Sequence, residues 1–246
     1  MPDLEPHQTF FAESKPPTAS ESNTSLGVLT HRGLFEYLDK LNLTEKELND
    51  PNTLLLDLGS GTKQDFAREM KFLDLKSQVI SVDPRLALPL EKDLAIPGTD
   101  RQARREGRLN PVENSIAALG EALPFRSNSF EKIYAMYSVP FYLEQKADIL
   151  ATLKEIHRVL KPGGEFKGFP IIKDQKEILE PLLAELNDIH ASFELKYSDD
   201  EGDEEWLLTF KKIDHPRNSA SFFDHLPPAQ QRALLNLKNK LKAEKQ

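Results

Sequence analysis

Three observations predict an α/β fold, a mostly parallel sheet with helices on both faces. The first is the run Leu54–Leu58, which ends in Gly59-Ser60-Gly61. Its four leucines read as a strand buried on both faces, and the glycines as a turn that lets a ligand approach the backbone. The second is Val79-Ile-Ser-Val-Asp83, a further buried strand separated from the first by the amphipathic stretch Phe66–Leu75. Strand, helix and strand in that order make a parallel crossover. The third is that the alternation continues, with strands at 115–119, 132–138 and 165–171, helices at 145–160 and 176–190, and two closing strands at 193–197 and 206–213. Seven strands result.

The remaining segments follow in chain order. Residues 1–25 are rich in Pro, Ser, Thr and Glu and are read as a flexible tail, because they cannot bury enough surface to offset the entropy of ordering. From Thr30 the spacing of Leu34, Phe35, Leu38 and Leu41 predicts a helix covering the sheet, stopped by Asn49-Asp50-Pro51. The stretch from Pro84 to Asn114 exceeds an ordinary crossover and implies an insertion, about 85–113, with a short helix near Arg101–Glu106. Lys161-Pro-Gly-Gly164 is expected to end the helix before it and turn the chain into the fifth strand. The main domain is thus 26–215, followed by a helical extension at 216–246. Leu234, Leu235, Leu237 and Leu241 of that extension fit docking on the domain, or else pairing with another chain.

Composition narrows the function classes. With 32 basic and 40 acidic residues the net charge is −8, so there is no strong nucleic-acid signal. Arg101, Arg104, Arg105 and Arg108 form the one dense basic patch, read first as a solvated connection and alternatively as a lid or anion contact. The acidic run Asp199–Glu205 fits a solvated hairpin turn. There is no cysteine, which removes disulfide scaffolds, thiolate metal sites and cysteine nucleophiles. No apolar run reaches the length of about 18 residues that a membrane helix needs, and Met1–Glu5 lacks a signal-peptide layout, so a cytoplasmic protein with no membrane partner is expected. No metal-ligand spacing, phosphate-binding Gly-Lys-Ser/Thr loop or Gly-x-Ser-x-Gly elbow occurs. No metal is therefore expected.

The glycine turn and a following acid also occur in dinucleotide sites, so neighbouring residues must decide the ligand. A pyrophosphate site wants a third glycine where this chain has Gln64, and it is disfavoured by the carboxylate of Asp57. S-adenosylmethionine is instead cationic, with a sulfonium and an ammonium, so Asp57 would attract it while Asp83 accepted both ribose hydroxyls.

Three segments resemble the class I S-adenosylmethionine-dependent methyltransferases, in particular the methyltransferase type 11 group. They are Leu55–Thr62 with Asp83; Glu121–Phe125 with Ser129-Phe130 and the strand 132–138; and Ile156–Gly164. The resemblance implies a Rossmann-like seven-stranded sheet whose last strand is antiparallel, an α-β-α sandwich, and S-adenosyl-L-methionine as cofactor. It implies that Asp57, Gly59, Ser60, Gly61 and Thr62 meet the methionine part, Asp83 the ribose, and Gly120, Glu121 and Ala122 the adenine. Ser138 joins this cofactor set, at the carboxyl edge of the sheet where the methyl is approached. Tyr137, Tyr142 and His31 are the candidates for hydrogen-bonding a nucleophile or acting as base, whereas His157 reads as structural. The chain departs from the family at Lys63, often a third glycine, and at Leu119, often an acid. The implied activity is methyl transfer to a small-molecule acceptor that the sequence does not name. A second adenosyl enzyme, such as an aminopropyl transferase, lacks its paired acids here, and a methyltransferase-like binding or scaffold domain without turnover is the alternative. Oligomeric state is not specified.

Overall fold

The computed structural model describes residues 33–90, 92, 101–143, 145–198 and 203–214, without the side chains of 101–103. The chain divides into two units, Met1–Ile213 and Asp214–Gln246. The expected tail, His31 and the C-terminal helical extension lie outside the described residues.

In chain order the first unit contains helices α1 (Leu34–Lys40) and α2 (Glu45–Leu48), strand β1 (Leu54–Leu58), α3 (Asp65–Phe72), β2 (Gln78–Val82), a 3-10 turn (Pro84–Ala87) and α4 (Arg101–Leu109). It continues with β3 (Ser115–Ile116), β4 (Phe130–Met136), α5 (Lys146–Val159), β5 (Leu160–Ile172), α6 (Lys173–Ala184), β6 (Ile189–Ser198) and β7 (Glu204–Lys212). The seven strands lie in the order β3-β2-β1-β4-β5-β7-β6. Only β7 runs antiparallel to its neighbours among the described pairs. The fold expected from the sequence is therefore the one observed. Strand order reverses between β1 and β4, which opens a crevice outside their carboxyl ends.

Alternation along β1 and β4 feeds two apolar layers. Leu56, Leu58, Ile133 and Ala135 pack with Ile149, Leu153, Ile156 and Leu179 of α5 and α6. Leu55, Tyr134 and Met136 pack with Leu34, Tyr37, Leu48, Phe66 and Met70 of α1, α2 and α3. Each fully buried large side chain contributes about 1.5–3 kcal/mol. The Phe66 ring stacks on Tyr37 with centroids 4.1 Å apart and meets Tyr134 edge-on.

Element limits differ from the sequence expectations in instructive places. The N-terminal helix is two short helices, because Asn42 takes a positive φ of 51° and Thr44 opens α2 with a capping box to Glu47. Its apolar stripe runs Leu34, Tyr37 and Leu41, while Phe35 is 77% exposed. The Lys161–Gly164 segment does not leave the sheet: β5 begins at Leu160, paired with Phe130, and the register shifts before Lys132 pairs with Glu165. Gly163 has φ +77°, and a Cβ on Gly164 would lie 2.8 Å from Lys161 O and 2.9 Å from Glu131 O, so the glycines make a bulge that hugs β4. Helix α6 starts at Lys173 and stops at Ala184; the positive φ of Asp188 then sets up a longer β6, in which His190 pairs with Lys211. Strand β3 is only two residues long.

A charged cluster lies under the turn between α1 and α2. Glu165 accepts from Lys132 at 2.8 Å, and Lys211 and Lys167 stand 3.3 and 3.9 Å away; Lys132 also approaches Glu47 at 3.6 Å. Burial raises the pKa of Glu165, but the Lys132 hydrogen bond and the charges of Lys132, Lys167 and Lys211 outweigh it and hold the carboxyl below its usual range. Burial, then the charges of Glu47 and Glu165, push the neighbouring Tyr134 phenol far above its ordinary value.

Candidate functional site

The carboxyl ends of β1 and β2 are joined by the glycine turn. Gly59 and Gly61 have φ of +77° and +70°, and the amides of Gly59 and Ser60 donate to Val82 O at 2.7 and 3.0 Å. Gly61 N donates to Asp83 Oδ2 at 2.9 Å, so the turn is tied to the acid at the end of β2. Glycine is required at 59 for a second reason: a Cβ there would lie 2.2 Å from Ser138 Cβ. Ser138 in turn donates from Oγ to Leu58 O at 2.6 Å, which brings the chain after β4 against the turn.

Asp57 is 1% exposed, and its Oδ1 accepts from Tyr37 Oη at 2.6 Å. Tyr37 belongs neither to the expected site nor to the expected stripe Leu34, Phe35, Leu38 and Leu41; its one signal in the sequence is its spacing from Leu34 and Leu41. Helix α1 is itself anchored, because Leu34 N donates at 2.6 Å to Glu69 Oε2 of α3, satisfying an amide of its open first turn. Replacing Tyr37 by Phe keeps the stack on Phe66 and removes the bond to the carboxylate. The expected cost is about 1.5–3 kcal/mol, read from urea unfolding. A shift below about 0.5 kcal/mol would show that the bond contributes no more than an ordinary surface contact.

Past the turn, Thr62 Oγ1 is buried with no hydrogen-bond partner. Lys63, at the departure from the family pattern, pairs with Asp65 at 3.3 Å. Gln64 takes the left-handed conformation, φ 56°, fully buried; its amide bonds Ser115 Oγ and accepts from Val112 N at 3.1 Å, tying the turn to β3. Helix α4 lies against the same segment, since a Cβ on Gly107 would be 2.6 Å from Thr62 O. Arg68 Nε donates to Lys63 O at 2.7 Å. Of the basic patch, Arg108 donates to Arg85 O at 3.0 Å and also bonds Leu88 O, so this part of the insertion packs on the turn region rather than forming a loose connection.

Asp83 caps the 3-10 turn by accepting from Arg85 N at 2.9 Å, and the Arg85 guanidinium grips both carboxylate oxygens at 3.1 Å. The acid is expected from the sequence, whereas the arginine two residues on is a finding of the structure.

Tyr137 leaves β4 with φ 46°, its amide donating to Phe169 O at 2.6 Å and its ring edge-on to Phe169. Tyr142 N donates to Ser138 O at 3.1 Å, and both tyrosines are half-buried. Gly120 sits under α5, where a Cβ would be 2.9 Å from Thr152 Cγ2 and 3.6 Å from Val139 Cγ2. Glu121 is half-buried, and Ala122 is exposed, its amide donating to Leu119 O at 3.2 Å. The loop that follows is held by α5: Glu155 accepts from Leu123 N at 2.9 Å, while Arg158 donates to Leu123 O and Phe125 O at 3.0 and 2.7 Å. Asp57, the glycine turn, Asp83 and Ser138 thus meet through hydrogen bonds and packing, and Gly120 joins them through Val139. His157 is remote in role: burial and then the charge of Lys212 push its pKa down. No cluster of His, Asp or Glu among the described residues could hold a metal.

Residues 56–167 match the family model described as a methyltransferase domain. The ubiquinone/menaquinone biosynthesis C-methyltransferase UbiE of Shewanella sp. (strain W3-18-1) is 31% identical over 129 residues, 52% of this chain and 47% of that protein. Its counterpart from Vibrio cholerae (strain ATCC 39541) is 32% identical over 132 residues, 54% and 45% of the two chains. The chain spans about half the length of these curated relatives. Among solved structures, a SAM-dependent methyltransferase from Aquifex aeolicus overlaps 72% of this chain and 93% of its own at 14% identity and a TM-score of 0.43. The matched block contains the glycine turn, Asp83 and the bulge into β5, and the sheet order places that turn at its reversal point. The match over residues 56–167 and the likeness to these relatives accordingly support a class I S-adenosylmethionine-dependent methyltransferase domain.

Proposed function

We propose that this chain transfers a methyl group from S-adenosylmethionine to a small-molecule acceptor. The observation that carries this reading is the arrangement at the reversal point of the sheet: Asp57, held by Tyr37 near the end of β1, is followed by the turn Gly59–Thr62, whose Gly61 amide binds Asp83 at the end of β2. The residues present fit the cofactor. Thr62 Oγ1 is a buried polar atom with no partner among the described residues, and the two positive-φ glycines leave the backbone at 59 and 61 without side chains. When bound, S-adenosylmethionine supplies a methyl already activated by its sulfonium.

The protein's own contribution is then alignment and electrostatics. Asp57, fixed by Tyr37, offers negative charge beside the turn. Asp83 offers its carboxylate to the ribose, Gly120–Ala122 border the adenine, and Ser138 holds the segment after β4 in place. Tyr137 and Tyr142 flank the approach to the methyl, as groups able to hydrogen-bond the attacking atom. A small-molecule acceptor is favoured over nucleic acid by the net charge of −8. The setting proposed is cytoplasmic, with which the absence of cysteine is compatible.

Titration calorimetry of the full chain with S-adenosylmethionine and with S-adenosylhomocysteine tests the reading. Binding of both is expected. Folded protein that binds neither would refute it.

A further inference from the structure

We propose that Arg85 is a resident competitor for the cofactor's ribose, holding the Asp83 carboxylate and thereby setting cofactor affinity. The proposal rests on the cofactor reading above and extends it to a residue outside every segment that carries the family resemblance.

The Asp83 side chain is 5% exposed and that of Arg85 16%. Among the described residues at least four hydrogen bonds meet the carboxylate: Oδ1 accepts from Arg85 N and Arg85 Nε, and Oδ2 from Gly61 N and the terminal nitrogen of Arg85. An ionised carboxylate offers about four acceptor positions, so this one is already well served. Two of the donors cannot move without loss of fold. Gly61 N belongs to the glycine turn, itself bound to Val82 O through Gly59 and Ser60, and Arg85 N belongs to the 3-10 turn that Asp83 caps. The exchangeable donors are the two from the guanidinium.

The guanidinium presents a fork, one N–H to each oxygen, at 3.1 Å in both cases. A ribose 2′,3′-diol presents the same footprint, two neighbouring O–H groups aimed at the two oxygens of one carboxylate. Arginine and diol therefore compete for the same face of Asp83. The exchange is unequal in charge, because the diol is neutral and its arrival separates a buried cation from its anion. Arg85 opposes that step, whereas a residue of similar size without charge would not. The backbone of Arg85 stays anchored meanwhile, its carbonyl held by Arg108 at 3.0 Å. Exchange thus moves the side chain and leaves the 3-10 turn in place.

The test is calorimetry of S-adenosylhomocysteine with the full chain, its Arg85→Gln, Arg85→Lys and Asp83→Asn variants, and the Arg85→Gln/Asp83→Asn double variant, each checked for folding by urea unfolding. Arg85→Gln is expected to bind about five- to tenfold tighter than the wild type. Arg85→Lys, which keeps the charge and loses the fork, is expected to fall between, and it serves alone should the glutamine variant fail to fold. Asp83→Asn is expected to bind at least tenfold more weakly, and in that background Arg85→Gln should change affinity less than twofold. Arginine variants that bind as the wild type does, or more weakly, would overturn the competitor role while leaving the cofactor site intact. Folded wild type and variants that all fail to bind would instead overturn the cofactor reading itself.

Discussion

Gly59→Ala is expected to destabilise the protein by about 3 kcal/mol and to abolish cofactor binding, combining about 1 kcal/mol or more for an alanine at positive φ with about 1–3 kcal/mol for overpacking. The backbone at Gly59 has φ +77°, and the new methyl would fall 2.2 Å from Ser138 Cβ and 2.7 Å from its Oγ. Ser138 cannot easily withdraw, since its hydroxyl donates to Leu58 O at 2.6 Å and its carbonyl accepts from Tyr142 N. Relief would require the whole segment after β4 to move off the turn. Urea unfolding of Gly59→Ala, with and without Ser138→Gly, separates the two costs: the second substitution should recover the overpacking part and leave the backbone part. A single variant within about 1 kcal/mol of the wild type would mean that the contact yields far more readily than its geometry implies.

The second large effect is expected away from the site. Glu165→Gln leaves three lysines around a neutral group, and Lys167 and Glu165 are 9% and 8% exposed, so the cation has little access to water. Removing one member of a buried charged pair costs about 3–5 kcal/mol. The low exposure of Lys167 argues for that range, and the freedom of Lys211, 62% exposed, to turn outward argues for its lower end. The pH dependence follows from the lowered pKa of Glu165. The unfolded carboxyl titrates near its ordinary 4.5 and the folded one below it, so the unfolded chain binds more protons between the two values. Stability from this group is complete above about pH 4.5 and is lost as pH falls through the folded pKa. Wild-type unfolding free energy should therefore drop on acidification below that point, and Glu165→Gln should show a shallower drop. Equal slopes in the two proteins would assign the acid sensitivity to other carboxylates.

Order and type of the elements could be read from the sequence because β1 and β2 are short leucine-, valine- or isoleucine-rich runs bounded by turn residues, and α5 spaces Ile149, Leu153 and Ile156 at a helical period. Boundaries failed where tertiary pairing overrides local signals. Pro162 and the glycines after it look like an exit from a helix, yet Leu160 already pairs with Phe130, and the glycines serve to keep β5 against β4 through a bulge. The N-terminal helix looked continuous because Asn42 carries no strong breaking signal, although asparagine tolerates the left-handed turn it adopts there. Within the candidate site, Asp57, the glycines and Asp83 were visible as residue types at defined spacing. Tyr37 and Arg85 were not, the first because a tyrosine on an apolar stripe looks like core, the second because a fork closed on a carboxylate two residues away has no spacing signature.

The bond from Tyr37 to Asp57 bears on where this domain begins. The block that identifies the family opens at residue 56, whereas the phenol that orients its acid comes from α1, and the carbonyl of Asn42 and the carboxylate of Glu47 reach the strands from the same upstream stretch. For anyone grafting or recombining such domains, the junction belongs before Gly33, not at the first strand.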